Sequence, residues 1–472
     1  FKKTEADARK EWIQDNTKNF KGLDYTTKEP VRINNLINKE LVLFSISDNI
    51  RSIPSIVDGL KPGQRKVLFA CFKKNLTNEI KVVQLAGYIS EHTAYHHGEH
   101  SLQETIINMA QNYVGSNNMN LLEPCGQFGT RLMGGKDSSS PRYIFTKLSK
   151  NTDKLFNPHD FPILEYLNDD GQSIEPKYYV PTLPLVLING TEGIGTGFST
   201  KIPSFNPDDL KYCLEKLIKN PDYEIPELTP WYKGFVGHIE KVDTNKWVSY
   251  GVYEIVENTV KISELPIGEW TENYKQHLEK METDERIITF KNNSSDTIID
   301  FEVKIKKETL KQWEYEGTLE KNLKLTTNIN ATNMHVFMAN GEIQKMHSAE
   351  EILYNFYVIR TKYHKLRKEH IEEQISKELI ILESKVKFIR SVVSEELFIF
   401  KRKKIDITKD LKKMNLYEYP NYDYLLNLPV QSFTEEKIKS LETSYNNKKL
   451  ELQKIKETTV ANLWEQDLEK IE

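Results

Sequence analysis

The sequence predicts a multidomain α+β protein of 472 residues, and three patterns carry that reading. Between about 39 and 182, helical runs with one apolar and one charged face follow each other closely, as in a helix-turn-helix or winged-helix domain. Between about 183 and 340, short β-like runs such as Thr259-Val-Lys-Ile-Ser-Glu-Leu265 and Thr297-Ile-Ile-Asp-Phe-Glu-Val-Lys304 mix with helical stretches and read as a separate α/β domain. From 341 to 472, Ile352, Phe356, Ile359, Tyr363 and Leu366 recur at 4-3-4-3 spacing. Ile375, Leu379, Leu382, Val386 and Ile389 repeat it, and Ile438, Leu441, Tyr445, Leu452 and Ile455 continue it on a second helix. Such stripes predict a long antiparallel coiled coil with a small tip between about 395 and 433.

Composition narrows the class. The net charge of -4 hides a basic segment in which Lys61, Arg65, Lys66, Lys73, Lys74 and Lys81 face only Glu79. Local sign, more than the total, governs nucleic-acid binding. Cys71, Cys125 and Cys213 are too few and too scattered for a disulfide framework, which fits a reducing compartment. No apolar run is long enough to span a bilayer and no secretory signal pattern is present, so an intracellular soluble protein with no membrane partner is expected. The opening Phe1-Lys-Lys-Thr-Glu-Ala-Asp-Ala-Arg-Lys-Glu-Trp12 reads as the interior of a longer polypeptide.

Residues 1–38 are charged and polar and predict a short helix followed by an extended linker arm that ends near Pro30. On residue type alone, Arg9, Lys10 and Trp12 form a solvated helix face. Pro62 suits the first turn of a helix in which Val67, Leu68, Cys71 and Phe72 form the apolar face and the basic residues the other. Farther on, His92, His96, His97 and His100 invite a metal reading. We reject it, because Gly98 interrupts the helix and Ser101-Leu-Gln-Glu104 reads as a capping box that starts a new one. Leu102, Ile106, Met109, Ala110 and Tyr113 are its buried stripe. The positive end of that helix beside Tyr95, His96 and His97 is instead a favourable place for a phosphate.

The stretch Gly134-Gly-Lys-Asp-Ser-Ser-Ser-Pro-Arg-Tyr-Ile-Phe-Thr146 combines tight turns with an irregular approach to Tyr143. A phenol with a free pKa of about 10 needs a cation nearby to act as a nucleophile, and Arg142 is adjacent. Along a strand the two side chains would diverge, so a bend between them is expected. Downstream, Leu183-Pro-Leu-Val-Leu-Ile-Asn-Gly-Thr-Glu-Gly-Ile-Gly-Thr-Gly-Phe198 predicts an apolar strand feeding glycines that let backbone approach DNA. On residue type Ile194 is a buried turn residue.

Arg142-Tyr-Ile-Phe-Thr146, Gly134-Gly-Lys-Asp137 and Ser52-Ile-Pro-Ser-Ile-Val-Asp-Gly-Leu-Lys-Pro-Gly-Gln-Arg-Lys66 together resemble the breakage-reunion region of the eukaryotic-type DNA topoisomerase II (type IIA) family. The resemblance covers nearly the whole chain and weakens after about 395. It implies that Tyr143 attacks a DNA phosphate and that Arg142, Arg51 and His97 assist. Arg9, Lys10, Lys61 and Tyr95 would then contact the DNA backbone, and Ile194 would wedge between base pairs. It also implies a tower domain over 183–340, a homodimer acting on duplex DNA in the nucleus, and a C-terminal gate at the tip of the coiled coil. Within that tip, Leu397, Phe398, Ile399 and Phe400, then Tyr422, Tyr424, Leu425, Leu426 and Leu428, form an apolar surplus. The full enzyme of this family needs Mg2+ and ATP. No Asp-x-Asp pair and no Walker-type loop occurs here, so both are expected to bind outside this chain, with no metal ligand among residues 1–472. A winged-helix regulator without chemistry and a structural coiled-coil protein are the alternatives.

Overall fold

The computed structural model describes residues 3–18, 22–23, 26 and 30–471, which form two compact units: one of residues up to 360 together with 467 onward, the other of residues 361–466. In the first unit, α1 (Ala6–Lys18) precedes a continuous helical run of α2 (Ile33–Leu36), a π-helical turn and α3 (Val42–Ser52). Trp12 is not on a solvated face. Its indole donates to Asn38 Oδ1 at 2.8 Å, and its ring packs on the small core of Ile13, Ile53 and Phe198. The rest of the extended arm expected up to residue 30 falls largely outside the described residues.

Pro62 opens α4 (Pro62–Lys74) as expected, and Val67, Leu68 and Cys71 are fully buried. A two-residue strand β1 (Ile80–Lys81) then leads into α5 (Val82–Thr93). The next helix, α6 (Glu99–Ala110), starts two residues before the expected capping box. Its N-cap is Gly98, and Ser101 lies inside the helix, where its carbonyl accepts from Thr105 Oγ1 at 2.9 Å. Leu102, Ile106, Met109 and Ala110 face the core, while Tyr113 lies beyond the helix end.

The chain returns through β2 (Phe145–Thr146), which pairs antiparallel with β1. It then passes α7 (Lys150–Leu155) into the hairpin β3 (Tyr166–Asp169) and β4 (Gln172–Pro176). The apolar run after Leu183 is a buried helical turn, α8 (Leu185–Ile188), rather than a strand. With the preceding prolines and a fully buried environment on all sides, apolar length alone did not distinguish the two. A second hairpin follows, β5 (Thr191–Ile194) with β6 (Ser199–Ile202), before α9 (Pro207–Lys219), whose N-cap Asn206 accepts from Asp208 N at 2.9 Å.

Residues 238–330 carry the expected α/β mixture. Strands β7 (His238–Asp243) and β8 (Lys246–Tyr250) form an antiparallel sheet completed later by β13 (Thr326–Asn330), in the order β13-β8-β7. Strands β9 (Val252–Val256), β10 (Thr259–Glu264), β11 (Thr289–Asn292) and β12 (Phe301–Lys304) form a second, ordered β11-β12-β10-β9. Alternate residues Val260 and Ile262 of β10 and Phe301 and Val303 of β12 point into one core. Leu278 of α10 (Thr271–Thr283), Trp313 of α11 (Lys307–Tyr315) and Leu319 of α12 (Leu319–Asn322) close it. The hairpin β14 (Met334–Phe337) and β15 (Ile343–Met346) returns to the α3 region, with Phe337 N donating to Pro54 O at 2.9 Å.

Helix α13 (Ala349–Val393) continues into the second unit. There it lies antiparallel to α16 (Glu435–Glu457): Lys368 bonds Lys456 O at 3.0 Å, Glu378 pairs with Lys448 at 2.9 Å, and Arg390 pairs with Glu442 at 2.8 Å. The expected apolar stripe holds at Ile352 and Phe356, which are fully buried, and is displaced after them. Ile359, Tyr363 and Leu366 are half-buried, whereas Arg360, His364 and Arg367, one position on, are buried. His364 stacks on Trp464 of α17 (Val460–Glu469) at 5.1 Å, so an aromatic partner replaces the apolar one that spacing suggested. Between the long helices, α14 (Lys404–Lys413) and α15 (Asp423–Leu426) build a small core of Leu397, Leu411, Tyr422 and Leu425 with Phe388 and Ile389. Part of the apolar surplus is thus internal, while Phe398 and Phe400 are 62% and 78% exposed.

Candidate nucleic-acid interface and active site

Two groups of the expected site residues are built at opposite ends of α5. At its C-terminal end the chain turns at Ala94, a left-handed residue with φ 47°, and runs through Tyr95 and His97 to Gly98. The rings of Tyr95 and His97 meet edge to face at 5.4 Å. Opposite them are Arg51, near the end of α3, and Lys61, the N-cap of α4. These four residues, with Lys66 and Ser101, line one cleft of about 490 Å³. Gly98 has no side chain to occupy the first N–H groups of α6, which leaves the positive helix end open to an anion beside His97.

The histidines do not converge. His92 lies against Tyr88 O at 3.0 Å, His96 faces Asp169 at 3.6 Å, and His100 faces Glu104 at 3.5 Å. Among the described residues, no group of three or more His, Cys, Asp or Glu side chains is arranged to hold a metal ion. By themselves the described residues therefore do not fit a Mg2+ site.

The basic face expected on α4 is only partly a surface. Arg65 is buried: it donates to both oxygens of Asp58 at 2.7 and 3.0 Å and to Leu60 O at 2.9 Å. Lys66 is committed to Glu175 and to Thr93 O. Lys61 donates to Glu192 O at 2.6 Å, and burial holds its pKa below the usual ammonium value while Glu192 pulls the other way. Lys73 and Lys74 at the far end of the helix are exposed.

Tyr143 lies at the other end of α5. The expected bend is present: Pro141–Tyr143 form a turn with Tyr143 N bonded to Ser140 O at 2.9 Å, and only Phe145 and Thr146 are strand. Pro141 O and Ile144 O accept from Val83 N and Val82 N, so the turn satisfies the first donors of α5. Upstream, Asp137 accepts from both the backbone N and the hydroxyl of Thr130, and Ser139 N bonds Gln127 O. Gly134, at φ 60°, lies against the Trp270 indole where a Cβ would overlap it. This scaffold leaves the Tyr143 side chain 70% exposed, with the Arg142 guanidinium 5.8 Å from its ring centre. Neither residue lines the cleft. Across a 12-residue helix the two ends are about 18 Å apart at roughly 1.5 Å per residue.

Ile194 ends β5 and is 78% exposed, which overturns the buried-turn reading made from residue type. The glycines around it are packed closely against α3. A Cβ at Gly193 would overlap Ser52 O, and one at Gly195 would overlap Asn49 Oδ1. Asn49 Nδ2 and Asp48 also hold Thr196 in the turn, at 3.0 and 2.9 Å. At α1, Lys10 pairs with Asp7 at 3.1 Å, and the Arg9 backbone lies beside Gly197 in the same hairpin. Sequence reasoning missed Asn49, Ser52 and Glu175 because their partners are more than a hundred residues away.

An exposed tyrosine with an arginine beside it, a separate basic and histidine-bearing cleft and an exposed isoleucine hairpin define a particular class of chain. Residues 51–469 match the family model for the A-type subunit of DNA gyrase/topoisomerase IV, and the chain belongs to that family. Residues 1–49 match the C-terminal associated domain of TOPRIM. Among relatives, the chain is 43% identical to DNA topoisomerase 2 of Plasmodium falciparum over 515 residues, covering 100% of this chain and 36% of that protein. It is 42% identical to DNA topoisomerase 2 of Arabidopsis thaliana over 520 residues, covering 100% and 35%. The chain thus spans about a third of the length of these curated relatives. The crystal structure of the Plasmodium falciparum topoisomerase II DNA-binding, cleavage and re-ligation domain superposes with a TM-score of 0.89 at 42% identity, covering 100% of this chain and 68% of that one. The resemblance read from sequence motifs is borne out.

Proposed function

We propose that this chain is the DNA breakage-reunion core of an ATP-dependent type II DNA topoisomerase that acts in the nucleus as a homodimer. The observation that carries the reading is the isolated presentation of Tyr143 beside Arg142. Its Oη attacks a backbone phosphorus, the bond to the 3′ oxygen breaks, and that oxygen leaves as a hydroxyl with the proton lost from the phenol. The 5′ phosphate stays on Tyr143 as a diester, and the reverse attack by the 3′ hydroxyl reseals the strand. Arg142 stabilises the charge on the equatorial oxygens, while Arg51, Lys61, Tyr95 and His97 hold the phosphate in the cleft. Ile194 enters the base stack and bends the duplex, and Arg9 and Lys10 contact phosphates along it.

The separation along α5 supports the dimer. One chain's Tyr143 and its own His97 do not reach one phosphate, whereas two chains related by a two-fold axis supply one pair at each cut strand. Mg2+ and ATP bind outside residues 1–472. Residues 39–182 then form the winged-helix domain with β3–β4 as its wing, 183–340 the tower, and 341–472 the coiled coil with the gate at its tip.

Mixing chains tests the two-chain site. A full-length Tyr143→Phe chain and a full-length His97→Ala chain, co-assembled, share one intact Tyr143–His97 pair and one doubly defective pair. The mixture is expected to nick one strand, with a denaturant-resistant adduct on the His97→Ala chain formed at the wild-type rate. A mixture no faster than His97→Ala alone would overturn the two-chain arrangement.

A further inference from the structure

Lys66 is spent inside the protein, although it stands in the cleft wall. Its ammonium donates to Thr93 O at 2.5 Å and reaches both oxygens of Glu175, at 2.8 and 3.0 Å. Thr93 is the last residue of α5, so a cation there meets the negative end of the helix. Thr93 itself is buried and returns its hydroxyl to Ile89 O at 2.7 Å. The next residue, Ala94, has the left-handed backbone that a side chain rarely adopts, and it directs Tyr95 to His97 out of the helix axis. Glu175 on β4 is buried too, which makes it a fixed anchor for the ammonium.

The preceding residue does the same work on the facing wall. Arg65 holds Asp58 and Leu60 O, and Asp58 in turn accepts from Leu60 N at 3.0 Å and Tyr179 N at 3.0 Å. Leu60 leads directly into Lys61. Two adjacent residues of α4 therefore fix the two walls of the cleft, one carrying Lys61 and the other carrying Tyr95 and His97.

We infer that Lys66, held by Glu175, is a positioning residue for His97 that sets the angle at which the chain leaves α5. This rests on the reading of His97 as a group that assists strand cleavage. Displacing such a group by about 1 Å costs roughly 10- to 100-fold in rate.

The test uses the full-length enzyme and single-turnover formation of the covalent DNA adduct, with duplex affinity measured separately. Lys66→Met is expected to slow adduct formation about 10-fold or more, with affinity changed by less than about threefold. Lys66→Arg, which can still donate to both partners, restores the rate to within a few-fold. In a His97→Ala background, Lys66→Met adds less than about twofold, because it acts through a side chain already removed. Full multiplicative losses in the double variant, or a wild-type rate in Lys66→Met, would overturn the inference. Should Lys66→Met fail to fold by circular dichroism, Glu175→Gln keeps the side-chain volume. It must then slow the reaction in the wild-type background and not in His97→Ala. A wild-type rate in His97→Ala alone would instead overturn the functional reading on which the inference rests.

Discussion

The two ends of α5 are built on different principles. At the C-terminal end, the cleft is shaped by buried charges: Asp58 with Arg65, and Glu175 with Lys66 at the Thr93 carbonyl. At the N-terminal end, the Tyr143 turn is shaped by backbone hydrogen bonds, glycine sterics and the Asp137–Thr130 contact, and the Tyr143 side chain is exposed beside Arg142. A side chain that must form and break a covalent bond cannot also be a structural tie, whereas groups that bind a phosphate gain from a rigid surround.

The largest effect tests the freer end. Tyr143→Phe removes only the hydroxyl proposed to react, so all denaturant-resistant DNA attachment should vanish while duplex binding and thermal stability stay at wild-type values. Residual attachment would assign the nucleophile elsewhere, and a fall in melting temperature would show the turn to depend on its side chain. The opposite result is expected at the rigid end. Arg65→Met leaves Asp58 buried without its partner and should cost about 3–5 kcal/mol in denaturant unfolding. A cost below about 1 kcal/mol would mean that the pair does not organise the cleft.

Arg142→Ala should slow cleavage about 100-fold with little change in stability, as expected for one exposed transition-state donor. Near-normal cleavage would reduce Arg142 to a binding residue. The Ile194 hairpin lies between the two regimes, because its tip is exposed while its glycines are wedged on α3. Gly193→Ala should therefore destabilise by about 1–3 kcal/mol, read from the urea midpoint, as the new methyl displaces the Ser52 carbonyl. Ile194→Ala should leave that midpoint unchanged and reduce the DNA bend seen by energy transfer between end-labelled dyes. An unchanged bend would return Ile194 to an ordinary exposed residue.

What the sequence made legible follows the same division. Features encoded by neighbours were readable: Pro62 at a helix start, Gly98 as a break, the bend before Tyr143, and the β-like runs that contain β10 and, in the latter half of 297–304, β12. Features encoded by distant partners were not. Arg65 and Lys66 look like a basic helix face until Asp58 and Glu175 are brought beside them, and Glu175 is 109 positions from Lys66. The packing of Gly193 on Ser52 and of Gly195 on Asn49 was hidden in the same way, because those partners are more than a hundred positions away. Likewise, Arg360, His364 and Arg367 interrupt a heptad pattern that cannot register buried ionic or aromatic partners. Spacing reports which residues share a face and says little about what that face meets.

The smallest predicted effect concerns how firmly the Ile194 hairpin is held. His335 on β14 bonds Ser199 O of β6 at 2.8 Å through Nδ1, and its backbone N donates to Thr200 Oγ1 at 3.1 Å. Burial lowers the pKa of His335; the bond to Ser199 opposes this, while Lys10 on α1 and Lys345 on β15 add to it. A histidine whose folded pKa lies below its unfolded value of about 6.5 binds more protons when unfolded as the solution is acidified. Its stabilising contribution is then complete above about pH 6.5 and is lost as pH falls through the folded value. His335→Asn keeps an N–H donor near Ser199 but does not titrate. Urea midpoints for the wild type should accordingly decline more than those of the variant between pH 7 and pH 5, with the two converging in slope above pH 7. Parallel profiles across the whole range would mean that His335 keeps its ordinary pKa and that the hairpin is held by groups that do not titrate in this range, such as the packing at Gly193 and Gly195.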